Sequence, residues 1–239
     1  MLIQVILQLV AVSAAIAFVL YGLPQAFRWF QVRRWNRRDG CIALTYDDGP
    51  DRQTTPQLLA LLEEKGIKAT FYLVGFRAEL CPIEMEQLRQ SGHELGAHSN
   101  KHFHAWKVAP WKEFADAHSG YRVLAPAVSA TGPFRPPFGK VSLPTMLSMW
   151  LKGRRVQWWS IVTNDTDARL GDPDSIAERI LDSGKPVILM HCHHDALENR
   201  VFVLQITRSL IDKGRERGLS FVTMSELASR IDKTLHVAT

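Results

Sequence analysis

The chain has 239 residues, 46% of them hydrophobic, 22% charged and 9% aromatic, with a formal net charge of +5. That balance excludes a disordered or collagen-like chain, and the length allows one large domain or two small ones. The excess charge is local. Residues 1–27 carry no charged side chain, Arg28, Arg33, Arg34, Arg37 and Arg38 follow with no acid among them, and removing those five leaves 24 basic against 24 acidic residues. A neutral body has no surplus to set against phosphates, which argues against a nucleic-acid partner.

Leu2 to Leu23 is almost wholly apolar, broken only by Gln4, Gln8, Ser13 and Tyr21 among polar side chains. At 1.5 Å per residue such a helix crosses a hydrocarbon core of about 30 Å. A cleaved signal peptide is the competing reading, but it needs a basic stretch before the apolar one, and only Met1 precedes Leu2. A buried core helix is the other alternative. The arginines lie after the apolar run, mixed with Phe27, Trp29, Phe30 and Trp35, a combination suited to a headgroup layer. The expectation is a single-pass anchor in the cell (inner) membrane over residues 1–27, touching membrane lipid, with a basic juxtamembrane segment over 28–39. The positive-inside rule then places the remainder in the cytoplasm, with the periplasmic or extracellular side as the alternative. Cys41, Cys81 and Cys192 agree, since an odd count does not look like a disulfide framework.

From residue 40 the pattern alternates. Cys41–Tyr46 predicts a buried strand, and Thr55 and Pro56 start a helix whose Leu58, Leu59, Leu61 and Leu62 share a face before Gly66 ends it. Lys68–Val74 predicts a second strand, Pro82–Gln90 a helix stopped by Gly92, and Glu94–Ala97 a third strand. Val156–Ile161 and Pro186–Met190 are strand-like, with a helix between them bracketed by Asp172, Pro173 and Gly184. A long helix near Val201–Arg217, a strand at Leu219–Thr223 and a short helix from Ser225 complete the chain, with 233–239 as a tail. Strand–helix alternation of this kind predicts a parallel α/β domain over 40–232, open or barrel-like.

Five clusters could carry chemistry. Asp47 and Asp48 emerge side by side from the first strand; Asp48-Gly49-Pro50 also reads as a plain turn, which leaves Asp47 unexplained. His98 and His102 are four apart, a spacing that puts two imidazoles on one side of a helical turn and suits a shared metal, though solvated helices carry such pairs too. Arg135-Pro136-Pro137-Phe138-Gly139 is a rigid loop with a glycine that permits close approach. Asn164-Asp165-Thr166-Asp167 reads as a turn, and His191-Cys192-His193-His194-Asp195 as either metal or acid–base chemistry or a polar loop. All five follow the carboxyl ends of predicted strands, where α/β barrels assemble their sites.

The order Asp-Asp, His-x-x-x-His, Arg-Pro-Pro-Phe-Gly, Asp, Leu-x-His resembles the polysaccharide deacetylases, the NodB-homology or carbohydrate esterase family four, over about residues 40–230. Leu219 to Leu227 is similar to the family's closing strand and helix. The resemblance implies a distorted (β/α) barrel and a divalent metal, zinc first and Co2+, Mn2+ or Ni2+ as alternatives, held by Asp48, His98 and His102. It implies that Asp47 is the general base, oriented by Arg135, and that His191 is the acid, charged through Asp165. The Phe138 N–H would serve the oxyanion, Leu189 would line the acyl pocket, and the metal would activate a water and polarise the carbonyl. Three positions depart from the pattern: Phe138 stands for the usual Tyr, Thr166 for a Trp, and Cys192 where Asp is frequent. His104, His193 and His194 read as loop residues, and Asp51 and Arg200 have no role.

The implied activity is removal of an N-acyl group, acetyl first, from an amino sugar, carried on a polyprenyl lipid or in a polysaccharide. The alternatives are a deformylase of a lipid-linked amino sugar, an extracytoplasmic peptidoglycan or polysaccharide deacetylase, and a catalytically silent partner in glycan assembly.

Overall fold

The computed structural model describes residues 1–35 and 40–237, so Arg37 and Arg38 lie outside the described residues. The first helical stretch is continuous: α1 (Leu2–Ala17), a π-helical turn (Phe18–Gly22) and α2 (Leu23–Trp35). No side chain of α1 is buried, and the helix from Leu2 to Trp35 is long and apolar enough to cross a membrane, a property shared with secretion signals.

The rest alternates. β1 (Cys41–Gly49), α3 (Thr54–Glu64), β2 (Thr70–Leu73), α4 (Gly75–Leu80), α5 (Pro82–Gln90), β3 (Glu94–Ala97), α6 (Pro110–Leu124) and α7 (Leu143–Leu151) form the first half. β4 (Ile161–Val162), α8 (Pro173–Asp182), β5 (Val187–His191), α9 (Leu197–Glu216), β6 (Ser220–Phe221) and α10 (Met224–Val237) form the second. The tail expected from residue 233 is therefore helical as far as Val237. All the strand pairings are parallel, in the order β3-β2-β1-β5-β4, with β6 on the first residues of β1. Their apolar side chains meet those of the helices in one core that includes Leu44, Tyr46, Phe71, Tyr72, Phe134 and Trp158.

Single bridges extend the sheet from Ala97 to Phe134 and from Phe134 to Val156. The segment 156–162 thus pairs with Phe134 at its start and with β5 at its end, and so bends the sheet round into a distorted barrel. Because backbone groups alternate along an extended segment, Gln157 N–H bonds Phe134 C=O while Val156 C=O and Trp158 N–H point the other way. The side-chain amide of Gln31 meets both: Nε2 donates to Val156 C=O at 2.9 Å and Oε1 accepts from Trp158 N–H at 3.3 Å. α2 thereby fills the gap in the barrel wall.

The segment expected to be basic and juxtamembrane also docks on the domain. Pro24 and Trp35 are buried, Phe27 packs edge-on against Trp150 at 4.8 Å, Arg28 lies 4.8 Å over the Trp159 ring, and Arg34 pairs with Asp232 at 2.8 Å. Residues 24, 27, 28, 31 and 35 recur at helical spacing and form one stripe, which leaves Trp29, Phe30 and Arg33 on the outer face. Gln31→Ala leaves a backbone donor and acceptor without their partner; it should lower unfolding stability by about 1–2 kcal/mol, measured by denaturant titration in detergent, against near zero for Arg33→Ala.

Candidate active site

Strand register places the reactive side chains. Thr45 pairs with Leu189 and Asp47 with His191 across β1 and β5, and residues two apart share a face, so these four point the same way. Asp47 is buried, and its Oδ1 accepts from Arg135 Nη1 at 2.8 Å. Arg135 has no exposed surface. It also donates to Thr45 Oγ1 at 2.8 Å and to Trp158 C=O at 3.0 Å, and its guanidinium lies 4.0 Å from the centre of the Tyr72 ring.

The same residue also fixes a histidine. Arg135 C=O accepts from His98 Nδ1 at 2.7 Å, which turns the bare Nε2 of that ring towards Asp48 and His102. His98 is fully buried, and burial lowers its pKa, favouring the neutral ring that a metal requires. Asp48 Oδ1 lies 3.4 Å from His98 Nε2 and 3.1 Å from His102 Nε2, and the two ring nitrogens are 3.2 Å apart. Ligands about 2.0–2.1 Å from a tetrahedral ion stand about 3.3–3.4 Å apart, so this triangle has the size of one face of such a site. Asp48 Oδ1 is also buried without a well-aligned hydrogen bond among the described residues. Burial pushes the Asp48 carboxyl up, but His102, His98 and His191 outweigh it and hold it well below the usual carboxylate range. The donor set fits a divalent ion.

The histidines do not share a helical turn. Residues 98–109 form a loop in which Ser99 and His102 take left-handed backbone (φ 64° and 57°), as do Asp48 (69°) and Phe138 (55°) around them. The surroundings sustain that strain. His102 N–H donates to Ser99 Oγ at 3.0 Å and Lys101 N–H to Asp116 at 2.8 Å. A Cβ on Gly120 of α6 would lie 2.5 Å from the Ser99 backbone, so the helix backs directly onto the loop. The Phe138 ring covers His102 and His104 from outside, at 4.7 and 4.9 Å.

Opposite stands His191, half-buried at the end of β5. Its N–H donates to Asp165 Oδ2 at 2.7 Å, and its Nδ1 lies 3.1 Å from Asp165 Oδ1. Burial depresses this imidazole, but the Asp165 carboxylate, helped by Asp48 and Asp47, raises its pKa to about 9. Asp165, on the expected turn after β4, is buried and also accepts from Thr163 at 3.0 Å. His194 is buried beside it, 3.3 Å from Asp165 Oδ2 and 3.0 Å from His191 C=O, so this expected loop residue braces the acid. His193 is tied to Asp51 at 3.2 Å, and Asp51 caps the start of α3 through Gln53 and Thr54 N–H. Leu189 is buried on the face it shares with His191, while Thr166 is exposed. Cys192 is buried under the Asp47-Asp48-Gly49 turn, where a Cβ on Gly49 would lie 2.4 Å from Sγ. Burial pushes its thiol up to about 12.

The sequence profile for polysaccharide deacetylase matches residues 35–152. A peptidoglycan-N-acetylglucosamine deacetylase of Bacillus cereus is 30% identical over 188 residues, which cover 78% of this chain and 87% of that protein. The chain belongs to the polysaccharide deacetylase family. A crystallised peptidoglycan N-acetylglucosamine deacetylase superposes with a TM-score of 0.74 at 24% identity, covering 84% of this chain and 96% of that one. A pseudoenzyme of the same esterase family from Bacillus anthracis superposes at 0.69 and 19% identity, over 80% of this chain and 66% of that one. Those likenesses establish the fold, the NodB-type α/β barrel.

Removing the Arg135 side chain strands a buried carboxylate. Arg135→Met should cost about 3–5 kcal/mol in denaturant unfolding, whereas removing both charges with Asp47→Leu in addition should recover part of that loss.

Proposed function

We propose that this chain is a membrane-anchored, metal-dependent hydrolase that removes an N-acyl group, acetyl in the first instance, from an amino sugar. The anchor is residues 1–27, continued by the basic segment to residue 39, and the catalytic domain is 40–232. The observation that carries the reading is a base beside a donor set: Asp47 Oδ2 lies 3.8 Å from His98 Nε2, while its other oxygen is held by Arg135.

Asp48, His98 and His102 would hold the ion, zinc by its preference for this mixed nitrogen and oxygen set at tetrahedral spacing. A divalent ion bound there supplies a lowered pKa for a water and a polarised amide carbonyl. Asp47 accepts the proton of the attacking water, and Arg135 keeps that carboxylate oriented. The Phe138 N–H donates to the oxygen that gains charge as the acyl carbon becomes tetrahedral. His191, charged through Asp165, gives its proton to the amine nitrogen as the C–N bond breaks, releasing the carboxylate and the free amine. Leu189 bounds the space for a small acyl group, acetyl first and formyl as the alternative.

The names of the relatives support N-acetylated glucosamine as the sugar class. The position of the arginines after the apolar run supports a cytoplasmic catalytic domain and hence a sugar on a polyprenyl carrier, in place of finished wall. The complete set of Asp47, Asp48, His98, His102 and His191 at one end of the sheet favours a working enzyme over a silent partner.

The purified full chain should release amine from an N-acetylated amino sugar. Asp47→Asn and His98→Ala should each lower kcat by about 10²–10⁴, His98→Ala with loss of bound zinc in elemental analysis and Asp47→Asn with the metal retained. Full turnover in both variants would sink the assignment. The pH dependence follows from His191, whose acidic form exists below about 9 and is lost above it. Asp165→Asn removes the main cause of that elevation, so the alkaline limb of kcat/KM should move down towards the ordinary imidazole range near about 6.5.

A further inference from the structure

The helix that carries the anchor has a direction relative to the barrel. Gln25 Nε2 donates to Gly139 C=O at 3.3 Å, in the loop at the carboxyl end of the strands. Gln31 then meets Val156 and Trp158, Arg34 meets Asp232, and Trp35 enters the core with Cys41 and Ile42, the first residues of β1. Successive contacts therefore pass from the catalytic end of the barrel to the opposite end. The apolar stretch before them projects beyond the catalytic end.

The surface around that exit is apolar and basic. The π-helical turn packs on α7, and α7 is joined to α6 at their starts, where Ser142 and Thr145 donate to buried Glu113 at 2.5 and 2.6 Å. Trp111 (72% exposed) and Phe114 stand on the first turn of α6, with Trp106 (50%) and Phe138 (51%) on the loops beside the site. Lys101, Lys107 and Lys112 are exposed among them, and Lys140 Nζ lies 4.0 Å over Trp106. The exposed acids Asp167, Asp195 and Glu198 lie on the segments after β4 and β5, whereas these aromatic and basic side chains follow β3, start α6 or flank Phe138.

We propose that this catalytic end lies against the headgroup layer of the bilayer that α1 crosses. Rings half in water and half in apolar surroundings settle at that depth, and lysines around them meet lipid phosphates. The docked α2 fixes the orientation, so the mouth at Phe138 opens onto the membrane surface. An amino sugar then reaches Asp47 while its lipid carrier stays in the bilayer. The inference rests on the anchored-deacetylase reading and gives its lipid-linked sugar a route to the base.

The test uses the full chain in nanodiscs of phosphatidylcholine and phosphatidylglycerol, with a nitroxide at Lys107→Cys, Lys112→Cys or, at the far end of α9, Glu216→Cys. The native cysteines are buried. Power-saturation resonance compares relaxation by oxygen, which concentrates in lipid, with relaxation by a neutral water-soluble nickel chelate. Labels at 107 and 112 should favour oxygen several-fold more than the label at 216. Equal chelate access at all three positions, or a chain that washes off the nanodisc, overturns the proposal. Depth is read without turnover, so failure of the deacetylase reading, seen as no amine release, is separate. As a second readout, Trp106→Ser with Trp111→Ser should raise KM for a lipid-linked amino sugar and leave kcat on a soluble N-acetylated oligosaccharide unchanged. An equal effect on both substrates counts against it.

Discussion

The buried ion pair between Arg135 and Asp47 is the contact on which the remaining geometry depends. Burying a guanidinium and a carboxylate costs several kcal/mol of hydration for each, and hydrophobic side chains of equal volume would serve stability as well. Here the pair is surrounded by further ties: Thr45 Oγ1, Trp158 C=O and the Tyr72 ring meet the guanidinium. Its backbone carbonyl meanwhile sets the tautomer of His98. One residue thus positions both the proposed base and a proposed ligand, and the two prolines after it hold the segment extended while Phe138 turns back over the pocket.

Charge is arranged around this pair in two opposing groups. Asp48 sits among imidazoles and is kept anionic; His191 sits on Asp165 and is kept cationic. An anionic donor for a cation and a charged proton donor thus stand on either side of the proposed base. The left-handed backbone at Asp48, Ser99, His102 and Phe138 is the local cost of that arrangement, sustained by a core that leaves those segments little freedom.

Much of this was legible from residue order. Strand alternation and the positions of Asp47, His98, Asp165 and His191 at or just past strand ends follow from period and punctuation, and Pro82–Gln90 and Glu94–Ala97 fall where expected; Arg135 follows only the single bridge of Phe134. α6 and α7 did not declare themselves. Gly120 within α6 is a helix-weakening residue chosen for contact with Ser99, and α7 is a short apolar run without a polar face to mark its period. The histidine pair met as expected but through a strained loop, because spacing in sequence does not specify backbone conformation. The role of His194 was hidden for the same reason. In the arginine-rich segment charge and aromatics point to a headgroup layer, and the i, i+3, i+7, i+11 stripe of Pro24, Phe27, Gln31 and Trp35 carries a docking signal as well. Of the described arginines there, Arg28 lies on the docked face, Arg34 reaches Asp232 from its edge and Arg33 stands on the outer face.

The proposed anchor, the docked helix and the proposed amide-cleaving constellation lie in one chain. On the proposed function, cells carrying the chain lose an acyl group from an envelope amino sugar. Mass spectrometry of lipid-linked and polymeric glycans, from cells expressing either the native chain or Asp48→Asn, tests this most directly. An acetylated lipid-linked amino sugar should be converted to the free amine only with the native chain. Identical glycan profiles in the two cell populations would contradict it.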